Sequence, residues 1–128
     1  MIWLATALAN PWGATLEQVL DSCVIIKMDR TRPFDGNPQS SSEASGFVVD
    51  AERGLVMTNR HVVTTGPTRA FAIFSNQEEV DLEPVYTDPV HDFGLFRYDP
   101  AALEHVAPVS LVLAPEAARI GTEIRVIG

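Results

Sequence analysis

The sequence predicts an all-β domain, a sandwich or a closed barrel, preceded by one short helix. Short runs rich in Val, Ile, Phe and Thr recur at regular spacing, with Gly, Pro, Asn and Asp between them. Several alternate apolar and polar residues with period two, as in Val80-Asp81-Leu82-Glu83 and Glu123-Ile124-Arg125-Val126. The chain has 128 residues, enough for one domain that buries roughly two-thirds of its unfolded surface. Two-barrel β enzymes need about 200–250 residues, so one barrel fits and two do not.

The elements follow in order. Thr15-Leu16-Glu17-Gln18 has the pattern of a capping box, in which the Thr hydroxyl and the Gln amide satisfy orphan N–H groups. Leu16, Val19, Leu20 and Cys23 then recur at helical spacing, so a short amphipathic helix is expected. Val24-Ile25-Ile26 reads as the first strand. Asp29 to Ser45, with two Pro, one Gly and four Ser, reads as one long irregular surface loop. Gly46-Phe47-Val48-Val49 and Leu55-Val56-Met57-Thr58 flank a five-residue hairpin loop, Asp50 to Gly54, in which Gly54 can take positive φ. Strands are expected at Phe71 to Phe74, at Val80 to Glu83 with Pro84 marking an edge or a bulge, and at Phe93 to Tyr98. Val109 to Leu113 and Thr122 to Ile127 complete the set.

Composition excludes several classes. With 46% hydrophobic and 20% charged residues the chain is globular. A net charge of −8 with no basic run argues against a nucleic-acid binder, which needs clustered Lys and Arg. Met1 to Ala9 is apolar but lacks a positive start, and is shorter than a secretion signal or a membrane span. It reads as an N-terminal extension, residues 1–13, and no membrane partner is expected. Cys23 is the only cysteine, which favours a reducing, intracellular setting and a buried inert thiol. His61, His91, Asp92 and His105 match no metal-ligand spacing, so neither metal nor cofactor is expected. Asp92-Phe93-Gly94 spells a kinase magnesium motif without the loops that accompany it. Glu78 and Glu79 read as solvated loop charges, and His105 as a surface residue.

One ordered string stands out. Gly46-Phe47-Val48-Val49-Asp50 is followed by a short turn, then Gly54-Leu55-Val56-Met57-Thr58-Asn59-Arg60-His61-Val62-Val63, and later Asp88-Pro89-Val90-His91-Asp92-Phe93-Gly94-Leu95. This string resembles the first half of the HtrA/DegP-like branch of trypsin-like serine proteases, nearest to the fungal pro-apoptotic serine proteases. The resemblance runs from about Trp12 to Gly128. It implies the N-terminal β-barrel of a chymotrypsin/trypsin-like protease over residues 14–120, with 121–128 beginning a second barrel.

The resemblance also implies roles. The family's catalytic base falls on His61 and its orienting acid on Asp92. The family nucleophile is a Ser in a Gly-rich turn of the second barrel, and none of Ser22, Ser40, Ser41, Ser42, Ser45, Ser75 or Ser110 lies in such a turn. The expected function is a serine endopeptidase, represented here by its His and Asp but not its Ser. These 128 residues alone are then expected to be inactive. Implied partners are protein or peptide substrates, with a homo-oligomer allowed for the full-length protein; implied localisation is nuclear. The alternative is a non-catalytic barrel, a pseudoprotease or protein-interaction module.

Overall fold

A computed structural model describes residues 12–33, 36, 38–64 and 66–128. The Met1 to Ala9 segment lies outside the described residues. Among the described residues one α-helix, α1 (Gly13–Leu20), precedes six strands: β1 (Cys23–Arg30), β2 (Ser40–Asp50), β3 (Leu55–Thr58), β4 (Thr68–Ile73), β5 (Glu79–Thr87) and β6 (Gly94–Arg97). All pairings are antiparallel, and the order β1-β2-β3-β6-β5-β4 closes on itself through β4 and β1. The fold is an all-β barrel with a short N-terminal helix, and closure removes the exposed edges that an open sheet would present.

Alternation puts one face of each strand inside. In β1, Val24, Ile26 and Met28 are buried while Ile25 is half exposed. Val48, Val56, Ala70, Ala72, Val80, Leu82 and Phe96 fill the interior from the other strands. Phe74 and Tyr98 meet edge to face at one end, with ring centroids 5.6 Å apart. The expected irregularity at Pro84 is a bulge: between Pro84 and Tyr86 the register against β6 shifts by one residue. Pro lacks the N–H that a regular ladder position needs, so a bulge is where a paired strand accommodates it.

The β2–β3 loop has the anticipated form. Gly54 has φ +66°, Arg53 N–H donates to Asp50 Oδ1, and Tyr98 N–H donates to the Gly54 carbonyl at 2.8 Å. A Cβ at Gly54 would stand 2.2 Å from the Tyr98 carbonyl oxygen. Gly54→Ala should therefore destabilise the barrel by more than the ~1–2 kcal/mol of a left-handed backbone alone. Urea unfolding of the two proteins checks this, and equal midpoints would contradict it.

The structure corrects several expectations. Helical bonding begins upstream of Thr15: Leu16 N–H donates to the Trp12 carbonyl at 2.8 Å. Trp12 is the N-cap and gives no side-chain cap, so Thr15 sits inside the first turn and no capping box forms. The apolar stripe of α1 is not buried either; Leu16 and Leu20 are exposed. The long loop is shorter than expected, because Lys27 to Arg30 pair with Ser40 to Glu43 as a ribbon. Lys27 and Glu43 lie directly opposite and form an ion pair at 3.3 Å.

Neither Val109–Leu113 nor Thr122–Ile127 is a strand. The closed barrel offers them no edge. Residues 109–111 instead cross its outside, held by Ser22. This fully buried hydroxyl donates to the Val109 carbonyl at 2.6 Å and accepts from Val109 N–H at 2.9 Å. Leu111 N–H adds a bond to the Val48 carbonyl at 3.0 Å.

Glu78 is not a solvated charge. Its carboxylate accepts the backbone N–H groups of Glu104, His105 and Val106 at 2.8–2.9 Å, and its side chain is 19% exposed. The Asn76 amide and these three N–H groups outweigh desolvation and hold the carboxyl down at about 2. His105 does lie at the surface, with Nδ1 3.3 Å from Glu78 Oε1. Glu78 thus ties the segment after β6 to the β4–β5 turn.

Candidate active site

Two irregular segments at one end of the barrel meet. The first follows β3. Asn59 and Arg60 accept the N–H groups of Val62 and Val63 at 3.0 Å, making a single helical turn. Val62 and Val63 are 3% and 4% exposed and anchor that turn in the core. The alternation of polar Asn59-Arg60-His61 with apolar Val62-Val63 is what places His61 outside and its neighbours inside. Thr58 fixes the end of β3 by donating to the Ser45 carbonyl at 2.8 Å.

The second segment is the loop 88–93 between β5 and β6. Asp88 N–H donates to the Phe93 carbonyl at 3.0 Å and closes it. Gly94 then begins β6 directly beneath the His61 turn. A Cβ there would stand 2.7 Å from Val63 Cγ2 and 3.0 Å from the Tyr86 carbonyl, so the two segments approach this closely only over a glycine.

The structure brings His61 and Asp92 together. His61 Nδ1 lies 3.0 Å from Asp92 Oδ2 and 3.2 Å from Oδ1. The same carboxylate accepts His61 N–H at 3.2 Å and the Asn59 amide at 3.2 Å. Arg60 donates to the Asp88 and Pro89 carbonyls at 3.4 and 3.2 Å. The His61 side chain is 72% exposed and that of Asp92 49%, so the pair is open to solvent. Desolvation pushes the Asp92 carboxyl up. The His61 N–H, the His61 ring and the Asn59 amide act the other way and hold it below the ordinary carboxylate range. With Nδ1 committed to the carboxylate, Nε2 is the ring nitrogen left to exchange a proton.

Asp88 was not singled out by sequence reasoning, though its Asp-Pro dipeptide is a turn signal. Its carboxylate accepts Val90 N–H at 2.9 Å and His91 N–H at 2.6 Å. Tyr86 OH and His91 Nδ1 add bonds at 3.1 and 3.2 Å. The His91 and Val90 N–H groups lead in holding this carboxyl down at about 2, against desolvation. His91 therefore lies in a tight turn held by Asp88. Among the described residues no group of three or more His, Cys, Asp or Glu is arranged to hold a metal ion.

The three depressed carboxyls make stability depend on acid. Asp and Glu titrate near 3.9 and 4.3 when unfolded, so below about pH 5 the unfolded chain binds more protons than the folded one. The contribution of Glu78, Asp88 and Asp92 is complete above about pH 5 and is lost as pH falls toward 2. Urea midpoints should fall as pH drops below about 5. Glu78→Gln should blunt the fall; an unchanged acid dependence in that variant would contradict the assignment.

Beside Asp92 lies an open, mostly apolar groove of about 570 Å³ bordered by Met57, Asn59, Phe93, Leu113 and Ile127. Residues 121–128 contain no strand and are exposed.

The sequence of residues 44–128 matches the family model for the trypsin-like peptidase domain. The chain belongs to the trypsin-like peptidase family. Its relatives include the pro-apoptotic serine protease Nma111 of Aspergillus clavatus, 52% identical over 97% of this chain and 12% of the relative. The namesake of Ajellomyces capsulatus is 52% identical over 91% of this chain and 11% of the relative. That of Phaeosphaeria nodorum is 52% identical over 91% and 12%. This trypsin-like chain thus spans about one-eighth of the length of the curated relatives it matches. No helix among its described residues is long and apolar enough to cross a membrane.

Proposed function

We propose that the chain is the base-and-acid half of a serine endopeptidase of the HtrA-like group, with His61 as general base and Asp92 as orienting acid. The observation that carries this reading is the bond between His61 Nδ1 and the Asp92 carboxylate, 3.0 Å long, in a trypsin-like peptidase barrel. In such a site Nε2 takes the proton of a Ser hydroxyl as its oxygen attacks the peptide carbonyl. The imidazolium then returns the proton to the leaving amine, while Asp92 keeps the tautomer fixed and stabilises the charge. Asn59 serves as a second orienting donor on the same carboxylate.

The nucleophile and the oxyanion-hole N–H groups come, on this reading, from a second barrel that residues 121–128 begin. The apolar groove beside Asp92 and the exposed Val112, Ile120, Ile124 and Val126 fit a face that a second barrel covers. Substrates are proteins or peptides. A nuclear setting belongs to the same reading and rests on family resemblance.

The 128-residue polypeptide on its own should neither hydrolyse peptides nor react with a fluorophosphonate probe, because removing the triad Ser alone costs about 10⁶-fold. The full-length protein should do both. Stoichiometric labelling of the 128-residue chain, abolished by replacing one of its Ser residues, would overturn this division of labour. A full-length protein that also fails to label would favour the non-catalytic barrel.

A further inference from the structure

We propose that Asp88 is a positioning residue for the His61–Asp92 pair, shaping the loop that carries Asp92 without itself touching substrate. The inference rests on reading His61 and Asp92 as base and acid.

The loop 88–93 is largely exposed; Val90 is 76% exposed and the His91 side chain 75%. The Asp88 side chain is only 14% exposed. It is turned under the loop, where Oδ1 gathers the Val90 and His91 N–H groups and the His91 ring, and Oδ2 takes the Tyr86 hydroxyl. Charge-assisted bonds of this kind are stronger than neutral ones. Two of them fall on consecutive N–H groups immediately before Asp92, so they fix the direction in which the chain arrives there. The Asp88 backbone fixes the departure through its bond to Phe93, and Arg60 ties the same loop to the His61 turn. The site of Asp92 is thus set from Asp88 on one side and from Asn59 and His61 on the other.

A shift of about 1 Å in a catalytic group can cost about 10²-fold in rate. Because Asp88 acts only through Asp92, its removal cannot cost more than the ~10⁴-fold loss of the orienting carboxylate itself.

The direction of the Asp92 titration separates positioning from simple charge. The charged or titratable groups facing Asp92 include His61, Asp88 and His91 in its own loop, Arg60 bonded to that loop, and Arg125, which lines the same groove. Deleting the Asp88 charge with the loop unmoved would ease ionisation of Asp92 and lower its titration point further. Letting Asp92 drift from His61 and Asn59 would raise it toward the ordinary carboxylate range.

The test is a carbon-detected NMR titration of the Asp92 carboxyl in the 128-residue chain, for the parent, His61→Ala, Asp88→Ala and Asp88→Asn. Asp88→Ala should move the Asp92 titration up, in the same direction as His61→Ala. Asp88→Asn, which keeps an acceptor oxygen for the two N–H groups, should leave it at or below the parent value. In the full-length protease Asp88→Ala should lower kcat about 10²-fold with KM unchanged, and Asp88→Asn should recover most of that. If Asp88→Ala does not fold, Asp88→Leu, similar in shape to Asp and without an acceptor oxygen, takes its place with the same expected directions.

A folded Asp88→Ala protein in which the Asp92 titration falls or stays, or in which kcat is intact, overturns the positioning role. If His61→Ala also leaves Asp92 unmoved, the pairing itself fails and both readings fall. If His61→Ala moves it and Asp88→Ala does not, only the role of Asp88 falls.

Discussion

If the proposed roles hold, His61→Ala in the full-length protein should lower kcat for peptide hydrolysis by about 10⁶-fold, the size of the loss when the base of a serine-protease triad is removed. An imidazole can take and return a proton at neutral pH, and His61 is the one that stands against the Asp92 carboxylate. Its Nδ1 is already committed to Asp92, so the proton must pass through Nε2. No neighbour replaces it: Asn59 does not titrate, and Arg60 remains protonated and cannot act as a base. Substrate binding is largely independent of that proton, so the loss should fall on kcat with little change in KM. The fold should survive, because the side chain is 72% exposed while Val62 and Val63 hold the turn from inside. Steady-state kinetics beside a thermal melt distinguish the two effects. A melt that collapses together with activity would assign His61 a structural role instead.

Asp92→Asn should lower kcat by about 10⁴-fold at neutral pH. The amide is nearly isosteric and can still accept the His61 backbone N–H. It cannot stabilise an imidazolium, and an amide N–H directed at Nδ1 would favour the opposite tautomer, placing the proton on Nε2 where the base needs its lone pair. The loss is smaller than for His61→Ala because the base remains and a fraction of it still works. Asp92→Asn also removes one of the three depressed carboxyls, so its stability should decline less steeply below pH 5 than that of the parent. Activity within tenfold of the parent would show that the carboxylate does not orient the base.

The barrel was legible where packing follows period two. Val80-Asp81-Leu82-Glu83 and the β2–β3 hairpin announced themselves because one face of each strand is buried. Lys27 to Arg30 and Ser40 to Glu43 did not, because their ribbon is held by backbone bonds and faces water on most of its surface. The runs Val109–Leu113 and Thr122–Ile127 have strand composition but join no ladder among the described residues, since closure through β1 and β4 leaves no edge. β propensity describes a side chain's fit to a pleated surface and cannot say whether that surface is vacant.

His61 and Asp92 were legible through the ordered string around them. Their supports were not. Asp88 and Glu78 act by collecting backbone N–H groups from loops, and such side-chain-to-backbone bonds leave no periodic trace in a sequence. Ser22 is similar, a hydroxyl whose importance lies in a segment 87 residues further on. In each case one polar side chain fixes irregular backbone that hydrophobic pattern cannot specify.

The claim that His61 and Asp92 work as one unit is tested most directly by a double-mutant cycle in the full-length protein. Peptide hydrolysis would be measured for the parent, His61→Ala, Asp92→Asn and the double variant. If Asp92 acts only by orienting and stabilising the His61 imidazole, the double variant should be no slower than His61→Ala alone, about 10⁶-fold below the parent. A double variant clearly slower than His61→Ala would give Asp92 an independent role. A His61→Ala protein with activity close to the parent would contradict the account altogether.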